Sequence, residues 1–126
     1  MSQPTIEFFD GVYEAFDEVS LRRNVRTGSK IVVMIFRELK CIEQFKALRA
    51  QFSNALRLTD EEGEISVEPS GIKFYFGGPE GDDLDRVECS VEIDRDDHFE
   101  RVMGFLHRFA DANGMGYDDT SSSQSN

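Results

Sequence analysis

An α+β fold, with a mainly antiparallel twisted sheet, a long C-terminal helix and a shorter middle helix packed on it, follows from three observations. Short alternating or β-branched apolar stretches fill most of the chain, glycine and proline turns separate them, and the pattern changes to a helical period twice. At 126 residues the chain is long enough for one real core and needs no second domain. Residues 1–117 are expected to form that domain, and 118–126, rich in serine, a disordered polar tail.

The elements follow in order. TIEFFDG (Thr5 to Gly11) reads as a first strand ended by the turn dipeptide Asp-Gly. Val19, Leu21 and Val25 then recur at period two, with Ser20, Arg22, Asn24 and Arg26 opposite them, which predicts a strand with one basic face. Thr27 and Gly28 turn the chain into KIVVMIF, apolar on both faces and so a central strand, and the two strands should pair as a hairpin. Leu39, Ile42, Phe45, Leu48 and Phe52 make one helical stripe, the expected middle helix. ALRLT and EISVE flank the acidic turn Asp60 to Gly63, IKFYFG adds another strand, and the loop Gly77 to Asp83 is acidic and mobile. In LDRVECSVEI the apolar phase slips between Leu84 and Val87, which predicts a bulge. Phe99, Val102, Met103, Leu106, Phe109 and Ala110 form the terminal helix stripe, capped by Asp94 or Asp96 and stopped at Asn113-Gly114. Acids at its start and Arg108 near its end suit the helix dipole. Eleven phenylalanines and no tryptophan point to a Phe-rich core.

Charge and cysteine usage narrow the function. The net charge of −11 argues against nucleic acid and against direct docking on anionic lipid. It is also unevenly spread: residues 1–58 hold nine Lys and Arg against seven acids, and residues 59–126 hold five against eighteen. A basic patch on an acidic body is the result, suited to orienting the protein on an acidic or carbonyl-rich peptide surface. Cys41 and Cys89 lack ligand or redox spacing and no signal peptide is evident, which suggests a reducing, cytosol-like compartment. The longest apolar run, Ile31 to Phe36, is far too short for a bilayer, so a membrane would be met through a partner.

No catalytic, cofactor or metal site is expected. DRDDH (Asp94 to His98) gathers hard ligands, but at a helix start, where acids serve capping, and His98 and His107 do not share the i, i+4 spacing of two metal-binding imidazoles. DEEGE lacks the alternating ligands of a calcium loop and reads as a hairpin turn. GGPEG has no following Lys-Ser or Lys-Thr, and no nucleophile elbow or Cys-His pair is present. A binding module remains. Arg22, Arg23, Arg26 and Lys30, with Asn24, cluster around one hairpin where guanidiniums suit carboxylates or backbone carbonyls of a peptide, and a sheet edge can accept a partner strand. The competing readings are edge charges that only deter aggregation, or a small acidic metal-dependent enzyme or a regulatory protein-interaction domain.

The order of motifs resembles the photosystem II reaction-centre Psb protein 28 family over about Thr5 to Tyr117. The motifs are IEFFDG, VSLRRNVRTG before a glycine turn, LRLTDEEGE, IKFYFGGP and the terminal HFERVMGFLHRFADANGMGY. The chain departs from the family where Phe99 stands in place of tryptophan, Asp17-Glu18 in place of a proline, and Ser20 and Val25 in place of arginines. It is therefore read as a divergent, second-class member. The resemblance implies a non-enzymatic assembly or repair factor without cofactors. It would be peripheral to the thylakoid membrane on the cytoplasmic (stromal) side. Its implied partners are photosystem II core subunits: the C-terminal tail of core antenna chlorophyll protein 47, which would extend the sheet, and reaction-centre loops near the acceptor side. By position the resemblance also implies Arg23, Lys73 and Phe74 as partner-binding residues; Arg22, Asn24, Arg26 and Lys30 come from the basic-face argument alone.

Overall fold

The computed structural model describes residues 3–9, 11–42 and 55–115. Among these residues, eight strands, β1 (Thr5–Phe9), β2 (Val12–Glu14), β3 (Glu18–Arg23), β4 (Lys30–Phe36), β5 (Leu56–Asp60), β6 (Gly63–Val67), β7 (Gly71–Gly77) and β8 (Asp83–Ile93), precede the helix α1 (Asp96–Ala112). All strand pairs are antiparallel, but the strands form two sheets rather than the single one expected, ordered β2-β1-β5-β6 and β3-β4-β8-β7. Local alternation fixes which residues share a face; it does not say that β1 pairs with β5, or β4 with β8, across long stretches of chain.

Both sheets and the helix bury their apolar sides in one core. Ile6, Phe8, Leu56, Leu58 and Val67 come from the first sheet, Val32, Met34, Phe36, Val87, Cys89, Val91 and Ile93 from the second, and Val102, Phe105, Leu106 and Phe109 from α1. The core is Phe-rich as expected: Phe8 meets Phe36 edge-on at 5.6 Å between centroids, and Phe16 lies 4.8 Å from Phe109. The helix stripe also takes in Phe105, fully buried between Val102 and Phe109 along the same face. The bulge in β8 is present. Tyr75 pairs with Arg86 but Phe76 with Leu84, so Asp85 is the extra residue.

Two expectations are corrected. First, α1 starts after Arg95, not at an aspartate cap, and no side chain caps it; Asp97 is held instead by the Arg95 fork at 2.6 and 3.1 Å. Asp96 and Asp97 do lie in the first turn, but the last turn carries no basic residue, since Arg108 sits earlier and is engaged elsewhere. The stop at Asn113-Gly114 is as expected. Gly114 takes φ +67°, which lets the Met115 N–H reach the Ala110 carbonyl at 2.9 Å and the Gly114 N–H reach that of Asp111 at 3.3 Å. Second, β3 ends at Arg23, so Val25 and Arg26 belong to a turn and the period-two face does not extend to them. The expected middle helix over 39–52 lies mostly outside the described residues; within 39–42 Ile42 is helical, and Leu39 and Cys41 are in the core. The tail 118–126 also lies outside them.

The short β2 has no sequence signature, being three residues long, yet it places a buried acid. Glu14 accepts the N–H of Lys40 at 2.8 Å and that of Cys41 at 2.9 Å, tying the chain after β4 to the first sheet. Burial, reinforced by the neighbouring Glu14 carboxylate, pushes the Cys41 thiol well above its ordinary pKa, and burial alone pushes Cys89 up to about 12. Both are core thiols rather than nucleophiles. Glu14→Ala strands two amides and is expected to cost about 2 kcal/mol of unfolding free energy in urea titration; Glu14→Gln, which keeps an acceptor oxygen, should cost less.

Candidate partner-binding surface

The β3–β4 hairpin is built as a stiff finger. Its strands pair in unbroken register from Glu18 with Ile35 to Arg23 with Lys30. At the tip, the Asn24 N–H donates to the Ser29 carbonyl at 2.9 Å and the Gly28 N–H to that of Asn24 at 2.7 Å, with Gly28 at φ +80°. The Asn24 side chain closes the turn from inside: Oδ1 accepts the Arg26 and Thr27 N–H groups, and Nδ2 donates to Glu92 on β8 at 3.1 Å. Thr27 Oγ1 lies 3.4 Å from the same Glu92 oxygen. Asn24 is thus the turn's internal brace, not an outward contact. At the base, Glu18 pairs with Arg37 at 2.6 Å and Asp17 accepts the Arg37 N–H. The hairpin therefore runs from acid at its base to base at its tip.

Arg22, Arg23 and Arg26 are exposed, and none of their guanidinium groups makes an ion pair or hydrogen bond among the described residues. Arg22 sits across from Ile31 and Arg23 across from Lys30, so consecutive side chains flank the two sides of the edge strand rather than sharing a face. Val25, between Arg23 and Arg26 in the sequence, is 93% exposed. Lys30 is turned away from this group: its Nζ lies 3.2 Å from Asp96 and 4.9 Å from the centre of the Phe99 ring, joining β4 to the start of α1. Lys73 and Phe74 are on β7, the opposite edge of the same sheet, with β4 and β8 between. Phe74 packs against the core, while Lys73 is exposed. The residues singled out in the sequence thus divide into a hairpin tip and a far edge.

Among the described residues most of the other cations are engaged by acids. Asp60, whose side chain is completely buried, receives the Arg101 guanidinium as a two-bond fork at 2.8 and 3.0 Å and Arg108 at 3.0 Å. It also accepts the Glu62 N–H at 2.9 Å, Arg101 continues to the Gly63 carbonyl, and Arg108 pairs with Glu62. Burial pushes the Asp60 carboxyl up, but the Arg101 fork, the Glu62 amide and Arg108 outweigh it, and its pKa falls below the ordinary carboxylate value. The turn it belongs to is a hairpin as expected, with Gly63 alone taking positive φ. Its acids do more than face solvent, however: they rivet the hairpin to α1. A signal was present in the sequence, since Arg101 and Arg108 are seven apart and share one helical face.

Among the described residues no three His, Cys, Asp or Glu side chains are grouped to hold a metal ion, and no helix is long and apolar enough to cross a membrane. Titration with calcium, magnesium, manganese or zinc is expected to leave the melting temperature unchanged, because a ligand specific for the folded state must raise it.

Comparison with known proteins agrees with the motif order. The family model described as "Psb28 protein" matches residues 6–117. The chain is 33% identical over 125 residues to the photosystem II reaction center Psb28 protein of Synechococcus sp. (strain CC9902), covering 94% of this chain and 86% of that one. It is 32% identical to the protein of the same name from Synechococcus sp. (strain CC9605), covering 98% and 91%, and 30% identical to that of Synechococcus sp. (strain JA-3-3Ab), covering 89% and 96%. With most of its length matched by the family model and by these relatives, the chain belongs to the Psb28 protein family.

Proposed function

We propose that this chain is a non-enzymatic photosystem II assembly or repair factor. It is peripheral to the thylakoid membrane and binds transiently to the cytoplasmic (stromal) face of immature photosystem II, near core antenna chlorophyll protein 47 and the acceptor side. Family membership supports association with photosystem II, because relatives across the family carry that name. The observation that carries the docking surface is the hairpin tip, where three unpaired arginines and a bare valine stand on a chain of net charge −11. Exposed guanidiniums without acids of their own are available to carboxylates and carbonyls of a partner, and the acidic remainder of the molecule is repelled from the same partner surface. Arg22, Arg23 and Arg26 make the contact, Asn24 holds the tip in shape, and Lys30, at the tip end of β4, ties the hairpin to α1.

A photo-crosslinking amino acid at position 25, introduced into the chain and irradiated with isolated thylakoids, tests this. Adducts are expected with photosystem II core subunits, the chlorophyll protein 47 tail and reaction-centre loops foremost, and not from a probe at position 64 on the other sheet. Adducts confined to proteins outside photosystem II would overturn the proposal.

A further inference from the structure

Among the described residues the exposed ones that carry a hydroxyl are Tyr13, Thr27, Ser66 and Ser70. Tyr13 lies across from Glu7 on β1, Ser66 stands between Glu64 and Glu68 in the sequence, and the Ser70 hydroxyl donates to the Ser90 carbonyl at 3.1 Å. Thr27 is the one set among unpaired cations. Arg26 precedes it directly, and Arg22 and Arg23 end the strand that leads into its turn.

Thr27 sits beyond the last pair of the hairpin, Arg23 with Lys30, in a stretch where Val25, Arg26, Thr27 and Gly28 are all exposed. Its Oγ1 lies 3.1 Å from the Ser29 hydroxyl and 3.4 Å from Glu92 Oε2, and accepts the Ser29 N–H at 3.2 Å. No acid among the described residues neutralises the three arginines, so the turn joins an accessible hydroxyl to free positive charge. Both properties suit phosphoryl transfer: a protein kinase with an acidic substrate groove reads arginines N-terminal to its target, and the product sets a dianion beside guanidiniums. We propose that Thr27 is a phosphorylation site and that its phosphate switches the arginine tip off.

In the reaction Thr27 Oγ1 attacks the terminal phosphorus of a nucleoside triphosphate. Its proton passes to the base of the kinase, the bond from phosphorus to the departing nucleoside diphosphate breaks, and a phosphate monoester forms on Thr27. The added group carries a charge of about −2 at neutral pH. Glu92, 3.4 Å from the oxygen that becomes esterified, repels it, while Arg22, Arg23 and Arg26 attract it. Their guanidiniums are then satisfied within the chain and no longer available to carboxylates of a partner. The turn keeps its shape, because its backbone bonds between Asn24 and Ser29 and between Gly28 and Asn24, and those from Arg26 and Thr27 to Asn24 Oδ1, do not use the hydroxyl. The switch rests on the reading of the tip as the partner contact; the site itself does not.

Measurements on the full chain keep site and switch apart. Mass-spectrometric mapping of the chain isolated from the cells that make it is expected to find phosphate on Thr27. Phosphorus nuclear magnetic resonance of the chain bearing phosphothreonine at position 27 should give a lower second phosphate pKa than the same chain with Arg22→Ala, Arg23→Ala and Arg26→Ala. Capture of photosystem II core subunits from solubilised thylakoids should weaken on the order of thirtyfold on phosphorylation, with little further loss in the triple variant, because both changes remove the same charges. Phosphate found only at Tyr13, Ser66 or Ser70, or at none of them, overturns the site. An equal phosphate pKa with and without the arginines, or capture unchanged by the phosphate, overturns the switch. A parent chain that captures no photosystem II subunit sinks the docking reading and the switch with it, while the mapping still decides the site.

Discussion

Replacing Arg22, Arg23 and Arg26 together with alanine is expected to weaken capture of photosystem II intermediates on the order of thirtyfold and to flatten the salt dependence of what remains. The magnitude follows from three exposed charges contributing somewhat under 1 kcal/mol each at a partner's acidic surface, about 2 kcal/mol in all. No fold defect should accompany the loss, because none of the three has a side-chain partner inside the described structure. Melting temperature should therefore stay within a degree or two while affinity falls, the opposite of what a structural role would give. Lys40→Ala, which removes another unpaired cation from a different part of the surface, serves as the control and should leave affinity unchanged. A salt response identical to that of the parent chain would remove the tip from the interface.

The largest stability effect is expected at Asp60. Asp60→Ala leaves Arg101 and Arg108 facing one another without the carboxylate that both share, and frees the Glu62 amide. Breaking a buried pair from one side typically costs 3–5 kcal/mol; because both arginines reach solvent in part, about 3 kcal/mol is expected here, lowering the melting temperature by roughly 10 °C. The sign of the pH effect is fixed by the depressed pKa of Asp60. Its contribution is complete above the ordinary carboxylate value of 3.8 and is lost as the pH falls through the lower value of the folded state. The stability gap between the parent chain and Asp60→Asn should be constant near neutrality and close in strong acid. A gap that widened on acidification would mean that the carboxyl is raised rather than lowered.

These two sites differ in how far the sequence reveals them. The arginine tip was legible because Arg22, Arg23 and Arg26 lie within five residues, at the end of β3 and in the turn after it, and charge proximity along the chain survives folding. The hairpins β3–β4 and β5–β6, the bulge in β8 and the stop of α1 were legible for the same reason: each is fixed by neighbours in sequence. The Asp60 cluster was not read, since it joins residues some forty positions apart and an acid beside a glycine has a sufficient local explanation as a turn residue. Glu14 was hidden in the same way, its partners being backbone amides 26 and 27 residues later. The division into two sheets rests on the pairings β1 with β5 and β4 with β8, which alternation alone does not encode. Lys30 illustrates the converse error: grouped with the arginines by position, it is drawn by Asp96 and Phe99 to the other side of the hairpin.

The electrostatic organisation connects these details. Seven of the cations among the described residues, Lys30, Arg37, Arg57, Arg86, Arg95, Arg101 and Arg108, are engaged by acids. They hold the body together. The unengaged ones are the three arginines of the hairpin tip, Lys73 at the opposite edge of the same sheet and Lys40 after β4. A chain so acidic overall presents its positive charge at one end of a stiff hairpin, which favours one orientation of approach and transient, salt-sensitive binding.

Affinity capture with the tagged, intact chain from detergent-solubilised thylakoids, followed by identification of the bound subunits, tests the central claim most directly. The account predicts recovery of photosystem II core subunits, chlorophyll protein 47 among them, with capture falling as salt is raised. Recovery of no photosystem II subunit at low salt would contradict it.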